Sequence, residues 1–156
     1  MGLEIERKFL LRTADWRALV ARSSRITDGL MLSSGDRKLR VRIRDQEATL
    51  TYKGARRGLA RDEFEYPIPL DDARHLMAQH CEGHILSKTR YDVPCLGFLW
   101  EIDVYEPPLN GVILAEVELT DAAVHLPLPE WLGEEVTGRP HYRKANLLDS
   151  RRALLV

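Results

Sequence analysis

The sequence predicts an α+β, mainly β fold. The expected architecture is an eight-stranded antiparallel β-barrel with a charged interior, flanked by a few helices and formed by one domain over 1–156. Three observations predict it. Runs of alternating polar and apolar residues recur at hairpin spacing along most of the chain, with turn residues between them. Within these runs charge keeps to one parity: Glu4 and Glu6, Arg40 and Arg42, Glu63 and Glu65, Glu101 and Asp103, Glu116 and Glu118. The opposite parity is apolar in strand after strand, and such a face left in water would drive aggregation. The apolar face is therefore expected to turn outward against helices and loops, and the charged face to line a wet tunnel.

Taken in order, Gly2 to Leu11 reads as the first strand, followed by a short helix over Asp15 to Arg22 with Thr13 as its N-cap. Arg25 to Ser33 is a second strand, and Ser34-Gly35-Asp36 a turn. Arg37 to Asp45 carries the row Lys38, Arg40, Arg42 and Arg44 on one parity, with Leu39, Val41 and Ile43 on the other. Glu47 to Gly54 and Arg61 to Ile68 complete the first half, and Pro67 and Pro69 end it. Leu70 to His80 reads as a helix with Asp71 capping and Leu76 and Met77 facing the core. Strands follow at His84 to Val93, Gly97 to Tyr105 and Val112 to Thr120. A proline-rich connection around Pro127 and Pro129 leads to a last helix, from Pro140 through Leu148. His80-Cys81-Glu82-Gly83-His84 reads as a helix-to-strand turn, since its spacing departs from that of zinc sites.

Bulk properties exclude several classes. Among 156 residues, 23 basic and 24 acidic side chains leave a net charge of -1, so the one-signed basic footprint of a nucleic-acid binder is missing. No apolar run is long enough to span a membrane. The chain enters a charged strand at once, which gives no sign of a secretory leader. Two cysteines, Cys81 and Cys95, form no framework, and a cytoplasmic location is the simplest expectation.

The chemistry follows from putting both signs of charge in one lumen. Glu4 and Glu6 lie about 6.6 Å apart on one strand face, and a divalent cation is the usual relief for carboxylates so placed. Lys8, one step further, offers a donor to an anion on the same face. Burying so many charges without partners is prohibitive. A polyanion with divalent metal resolves it: arginines grip phosphate oxygens bidentately, lysines act as point charges, and carboxylates hold the metal. Metal-assisted hydrolysis of a phosphoanhydride is the reaction such a lumen implies.

The same residues resemble the CYTH proteins, or triphosphate tunnel metalloenzymes. That family includes class IV adenylate cyclases, thiamine triphosphatases, inorganic tripolyphosphatases and fungal RNA triphosphatases. Glu4-Ile5-Glu6-Arg7-Lys8 resembles its N-terminal Glu-x-Glu-x-Lys signature. Leu39-Arg40-Val41-Arg42, Thr51-Tyr52-Lys53 and Glu63-Phe64-Glu65 resemble its basic, lysine and central acidic strands. Lys88-Thr89-Arg90-Tyr91, Glu101-Ile102-Asp103 and Glu116-Val117-Glu118 follow in the family's order, so the resemblance spans nearly the whole chain.

The resemblance implies roles. Glu4, Glu6 and Glu118, with Glu116 beside them, become ligands for Mg2+ or Mn2+. Glu63, Glu65 and Asp103 become candidates for a second metal or for handling water. Lys8, Arg40, Arg42, Lys53, Lys88 and Arg90 become triphosphate ligands, to which Arg143 on the last helix is added. The implied activity is hydrolysis of inorganic tripolyphosphate or of a small organic triphosphate such as thiamine triphosphate. The alternatives are a class IV adenylate cyclase and a non-catalytic polyphosphate- or nucleotide-binding module. The expected partner is the small-molecule substrate, with no membrane and no nucleic acid; a homodimer stays open. Two departures stand out. Leu30 occupies a place where many short members have a tyrosine, so activation of water falls to metal-bound water or to a lysine such as Lys53. Lys144 replaces the asparagine of a Tyr-x-Asn-x-x-Leu motif, of which Tyr142 and Leu147 remain, and adds a cation near the tunnel mouth.

Overall fold

The chain is described over residues 2–155 in a computed structural model. Its strands are β1 (Gly2–Leu11), β2 (Arg22–Ser34), β3 (Arg37–Arg44), β4 (Glu47–Lys53), β5 (Ala60–Ile68), β6 (Ile85–Cys95), β7 (Phe98–Tyr105), β8 (Ile113–Glu118) and β9 (Leu132–Glu135). Helix α1 (Leu70–His80) joins β5 to β6, and α2 (Lys144–Leu155) follows a 3-10 turn at Pro140–Tyr142. Neighbours run in the order β5-β4-β3-β2-β6-β7-β8-β1, every pair antiparallel, and β1 returns to β5. The sheet therefore closes into the expected eight-stranded barrel. No helix among the described residues is long and apolar enough to cross a membrane.

The closure rests on β1. Gly2 to Ile5 pair with Glu63 to Ala60 of β5, and Glu6 to Phe9 pair with Glu118 to Ala115 of β8. Beyond Ile5, the edge of β1 that faced β5 is taken over by β9, through Phe9↔Glu135 and Leu11↔Leu132. This ninth strand has no counterpart in the sequence reading, because Leu132-Gly133-Glu134-Glu135 is too short to show an alternation. Gly133 makes the pairing possible: a Cβ there would sit 3.1 Å from the carbonyl oxygen of Leu10.

Side-chain parity works as expected on most strands. Outside the barrel, Phe9, Val93, Trp100, Ile102, Ala115 and Val117 pack beneath Trp16, Leu126, Trp131 and Leu132. A second outer cluster puts Val41 and Ala48 under Ala73 of α1. Burial of these aromatic and aliphatic side chains contributes about 1.5–3 kcal/mol each, which offsets the cost of a polar interior. The cover is incomplete on β4 and β5, where Tyr52, Phe64 and Tyr66 remain exposed.

The lumen is not charged along its whole length. Tyr105 and Leu114 share strand parity with Asp103 and Glu116, and Leu86 shares it with Lys88. They pack together with Leu109 and with Leu147 and Leu148 of α2, and Leu10 lies against them. Helix α2 thus covers one end of the barrel on an apolar plug.

Some local expectations shift. The first helix is a 3-10 segment over Asp15–Leu19; Thr13 is not its N-cap, though its hydroxyl accepts from the Asp15 amide at 3.3 Å. Pro69, not Asp71, holds the N-cap of α1, and Asp71 faces Arg74 at 3.4 Å in the first turn.

Candidate active site

Strand β1 delivers Glu4, Glu6 and Lys8 to the lumen, and its register sets their partners. Glu6 stands opposite Glu118 and Lys8 opposite Glu116, while Glu4 lies opposite Arg61 of β5. Glu4, Glu6 and Glu118 converge so that one oxygen from each lies within 4.8 Å of the others. All three carboxyls are pushed up from their ordinary values. For Glu4 burial leads, followed by the adjoining carboxyl of Glu63; for Glu6 burial leads, then the charge of Glu116; for Glu118 burial leads, then the charge of Glu4. Three clustered carboxylates of this kind fit a divalent cation, whose charge would remove both burdens.

The neighbouring cations fall into two sets. Arg42 donates bidentately to Asp28, at 2.6 and 2.9 Å. Burial pushes Asp28 up, but Arg42, Arg40 and Lys88 outweigh it and hold this carboxyl well below its usual range. Arg90 donates to Asp103 at 2.8 and 2.9 Å and to Glu101 at 3.1 Å, and Lys88 reaches Asp103 at 2.7 Å. Asp103 too is held below its ordinary value: burial opposes ionisation, and Lys88 and Arg90 overcome it. The second set is more loosely held. Lys53 lies 3.2 Å from both oxygens of Glu4 and 3.3 Å from Glu63. Lys8 is 3.7 Å from Glu116, and Arg40 keeps a buried Nε without a hydrogen-bond partner.

Most residues expected at the site line two adjoining cavities of the lumen. Glu4, Glu63, Glu65, Glu101 and Glu118 line its open end, together with Arg42 and Arg90. Lys8 lines the end under α2, and Glu6, Arg40, Lys53 and Glu116 face both. Glu65 is exposed at the open mouth, 3.4 Å from the hydroxyl of Thr51. Arg143 stands at the rim of the covered end, half-exposed, 3.8 Å from Asp36. Lys88 and Asp103 are set apart: both are sealed into the wall and line neither cavity. Glu116 lies outside the close carboxylate group, between Lys8 and Arg90 at 3.7 and 3.9 Å.

The residue sequence reasoning missed is Asp28. It is buried and central to the cationic row, yet β2 carries no alternation of charge to reveal it. The available signal was a single carboxylate in the middle of a strand, followed by a glycine. Gly29 is needed there because a Cβ would lie 2.5 Å from the Cys81 sulfur.

Comparison with known proteins agrees with this geometry. The family model described as the CYTH domain matches residues 2–150. An inorganic triphosphatase of Acetivibrio thermocellus is 36% identical over 148 residues, covering 95% of this chain and 94% of its own. The crystal structure of the inorganic triphosphatase NE1496 superposes with a TM-score of 0.65 at 29% identity, over 94% of this chain and 95% of the other. The PH1819 protein of Pyrococcus horikoshii OT3, 21% identical, shares the fold with a TM-score of 0.63 over 98% of this chain and 100% of its own. A closed barrel that collects glutamates and basic side chains on its inner face, matched over nearly its full length, belongs to the CYTH domain family.

Proposed function

We propose that this chain is a divalent-metal-dependent triphosphatase that cleaves a phosphoanhydride of inorganic tripolyphosphate or of a small organic triphosphate. The observation that carries the reading is the convergence of Glu4, Glu6 and Glu118, left without a full set of cations, beside Arg40, Lys53 and Lys8 in one lumen. The 36% identical inorganic triphosphatase supports it.

Glu4, Glu6 and Glu118 would hold Mg2+ or Mn2+. When bound, such an ion neutralises phosphate charge and acidifies a water molecule. The protein supplies the rest. Arg40, Arg42 and Arg90 offer guanidinium donors to phosphoryl oxygens, and Lys8 and Lys53 offer point charges. Asp28 and Asp103 hold Arg42 and Arg90 in fixed orientation, so little reorganisation is needed when charge moves to the leaving phosphate. Water adds to phosphorus, the bridging P–O bond breaks, and its electron pair leaves on the departing phosphate, whose charge these cations stabilise. Glu63 and Glu65, which line the open end, would take the water's proton or a second ion; Lys53 is the alternative base.

Product analysis tests this. With Mg2+ or Mn2+, tripolyphosphate, thiamine triphosphate and ATP are supplied in turn and the products separated. Orthophosphate release is expected from at least one of them. Cyclic AMP from ATP would establish the cyclase, and binding without turnover a binding module.

A further inference from the structure

The end of the lumen covered by α2 contains cations that the reaction above does not use. Helix α2 is anchored by Leu147 and Leu148 on the apolar plug, which fixes its first residue, Lys144, over the lumen. Lys144 borders both cavities. Its charge is the largest electrostatic influence lowering Glu116. Lys38, at the start of β3, stands opposite Lys53 in register and lines the covered cavity. Among the described residues, no carboxylate lies within ion-pair distance of Lys38 or Lys144. Two buried donors on the same cavity, Arg40 Nε and Arg56 Nη1, also lack hydrogen-bond partners.

We propose that Lys38 and Lys144, with Arg40 and Arg56, form a metal-independent site for an unsubstituted phosphoryl group at the covered end of the tunnel. The acids of this cavity are already committed. Asp28 is held by Arg42, with Arg40 at 4.0 Å, Asp36 by the Arg56 backbone amide, Arg61 and Arg143, and Glu116 by Lys8 and Arg90 under the added charge of Lys144. Glu6 belongs to the carboxylate group that fits a metal, and His84 faces Asp149 at 3.7 Å. The free charge is therefore positive, and several donors converge from β3, α2 and the β4–β5 loop. That is the recognition chemistry of a compact oxyanion, which lysines bind as point charges and arginines through paired donors. An uncharged organic group would leave the half-buried ammonium groups without an anion.

Lys38 gives the site a second property. Burial brings it down to about 7, helped by Lys144 on α2, Arg61 on β5, Lys8 on β1 and Lys53 on β4. A phosphoryl anion reverses the sign of that surrounding field, so its arrival at mildly alkaline pH makes Lys38 take up a proton. On the triphosphatase reading, a substrate's free phosphoryl end occupies this site, and any organic substituent trails at the acidic mouth.

The test is calorimetric titration of the full-length protein with inorganic pyrophosphate in EDTA, near pH 8. Two buffers of different ionisation enthalpy are used, and orthophosphate is the second probe. Once the protons that pyrophosphate itself releases on entering a cationic site are subtracted, uptake of a proton by the protein is expected. Lys144→Asn and Lys144→Met weaken it by about tenfold or more, and Lys38→Met removes the uptake. Thermal melts of the variants confirm that they are folded. In steady-state assays with Mn2+ and tripolyphosphate, the Lys144 variants raise KM more than they lower kcat. Absence of metal-free binding, or equal affinity in folded Lys144 variants, would overturn the proposal. So would unchanged proton uptake in Lys38→Met. If the wild type hydrolyses no triphosphate, the triphosphatase reading fails while the pyrophosphate titration still decides this site.

Discussion

Replacing Glu6 by Gln should stabilise the metal-free protein while disabling it. Its carboxylate lies with those of Glu4 and Glu118 in a group whose chosen oxygens are within 4.8 Å. At that spacing a fully ionised pair repels by about 3 kcal/mol with an effective dielectric of roughly 20. Lys53 offsets part of this at Glu4, and exposure of Glu118 screens another part, so the net relief is on the order of 1–2 kcal/mol. For a chain of this size that is a rise in Tm of about 3–6 °C. The sign follows from linkage. Glu6 is raised above its ordinary value in the folded state, first by burial and then by Glu116. Its ionisation therefore costs stability above the folded value, and the cost fades as pH falls toward 4.5. The variant's advantage in EDTA is accordingly largest near pH 8 and disappears in acid. Adding Mn2+ should raise the Tm of the wild type and leave Glu6→Gln nearly unmoved, and kcat/KM should fall by about a thousandfold. Differential scanning fluorimetry across pH, with and without Mn2+, reads all of this except the rate. A Glu6→Gln protein that melts lower in EDTA at pH 8, or keeps the full Mn2+ shift, would refute the reasoning.

Asp28→Asn should destabilise the fold by about 3 kcal/mol, because Arg42 would be left buried without its counter-charge. Asp28 is depressed below 3.8, so the deficit should persist from neutral pH down to about that value and close only below it, in urea melts at several pH values. Gly29→Ala should cost roughly 1–3 kcal/mol by pressing a methyl group onto the Cys81 sulfur and Val41, and Gly29→Ala/Cys81→Ala should recover part of it. With Leu30 in the covered cavity, the alkaline limb of the rate should shift its midpoint when Mg2+ is exchanged for Mn2+. A midpoint indifferent to the ion, with a limb that vanishes in Lys53→Ala, would assign the base to Lys53.

The barrel and most of the lumen were legible because strand periodicity is strict: one parity carries Glu4, Glu6 and Lys8, and the same rule holds on β3, β7 and β8. What escaped were features that depend on position along a strand rather than on parity. Leu10 follows Lys8, Leu86 precedes Lys88, Tyr105 follows Asp103 and Leu114 precedes Glu116. In an antiparallel barrel all four fall at the same end, so the apolar plug under α2 was present in the sequence as a phase change on each strand. Asp28 escaped because Ile26 and Leu30 share its parity and dilute the charge signal. Strand β9 escaped because its pairing depends on close approach at Gly133, a tertiary fact with no periodic trace.

The ion pairs divide the glutamates and aspartates by what they remain free to do. Asp28, Asp103 and Glu116 have cations close by, and all three are held ionised against their burial. A metal could recruit them only by displacing an arginine or lysine, at the cost of stranding that cation in the wall. Glu4, Glu6 and Glu118 are raised, so the fold bears an electrostatic penalty there that a divalent ion would lift. The motif strands are similar in sequence, yet the register of β1 against β8 puts Glu6 beside Glu118 and Lys8 beside Glu116. One two-residue step along the strand thus separates a carboxylate pair that calls for a metal from one already neutralised by a lysine. Register decides which carboxylates are left clustered and which become counter-ions, which is why repeated Glu-x-Glu motifs alone could not assign it.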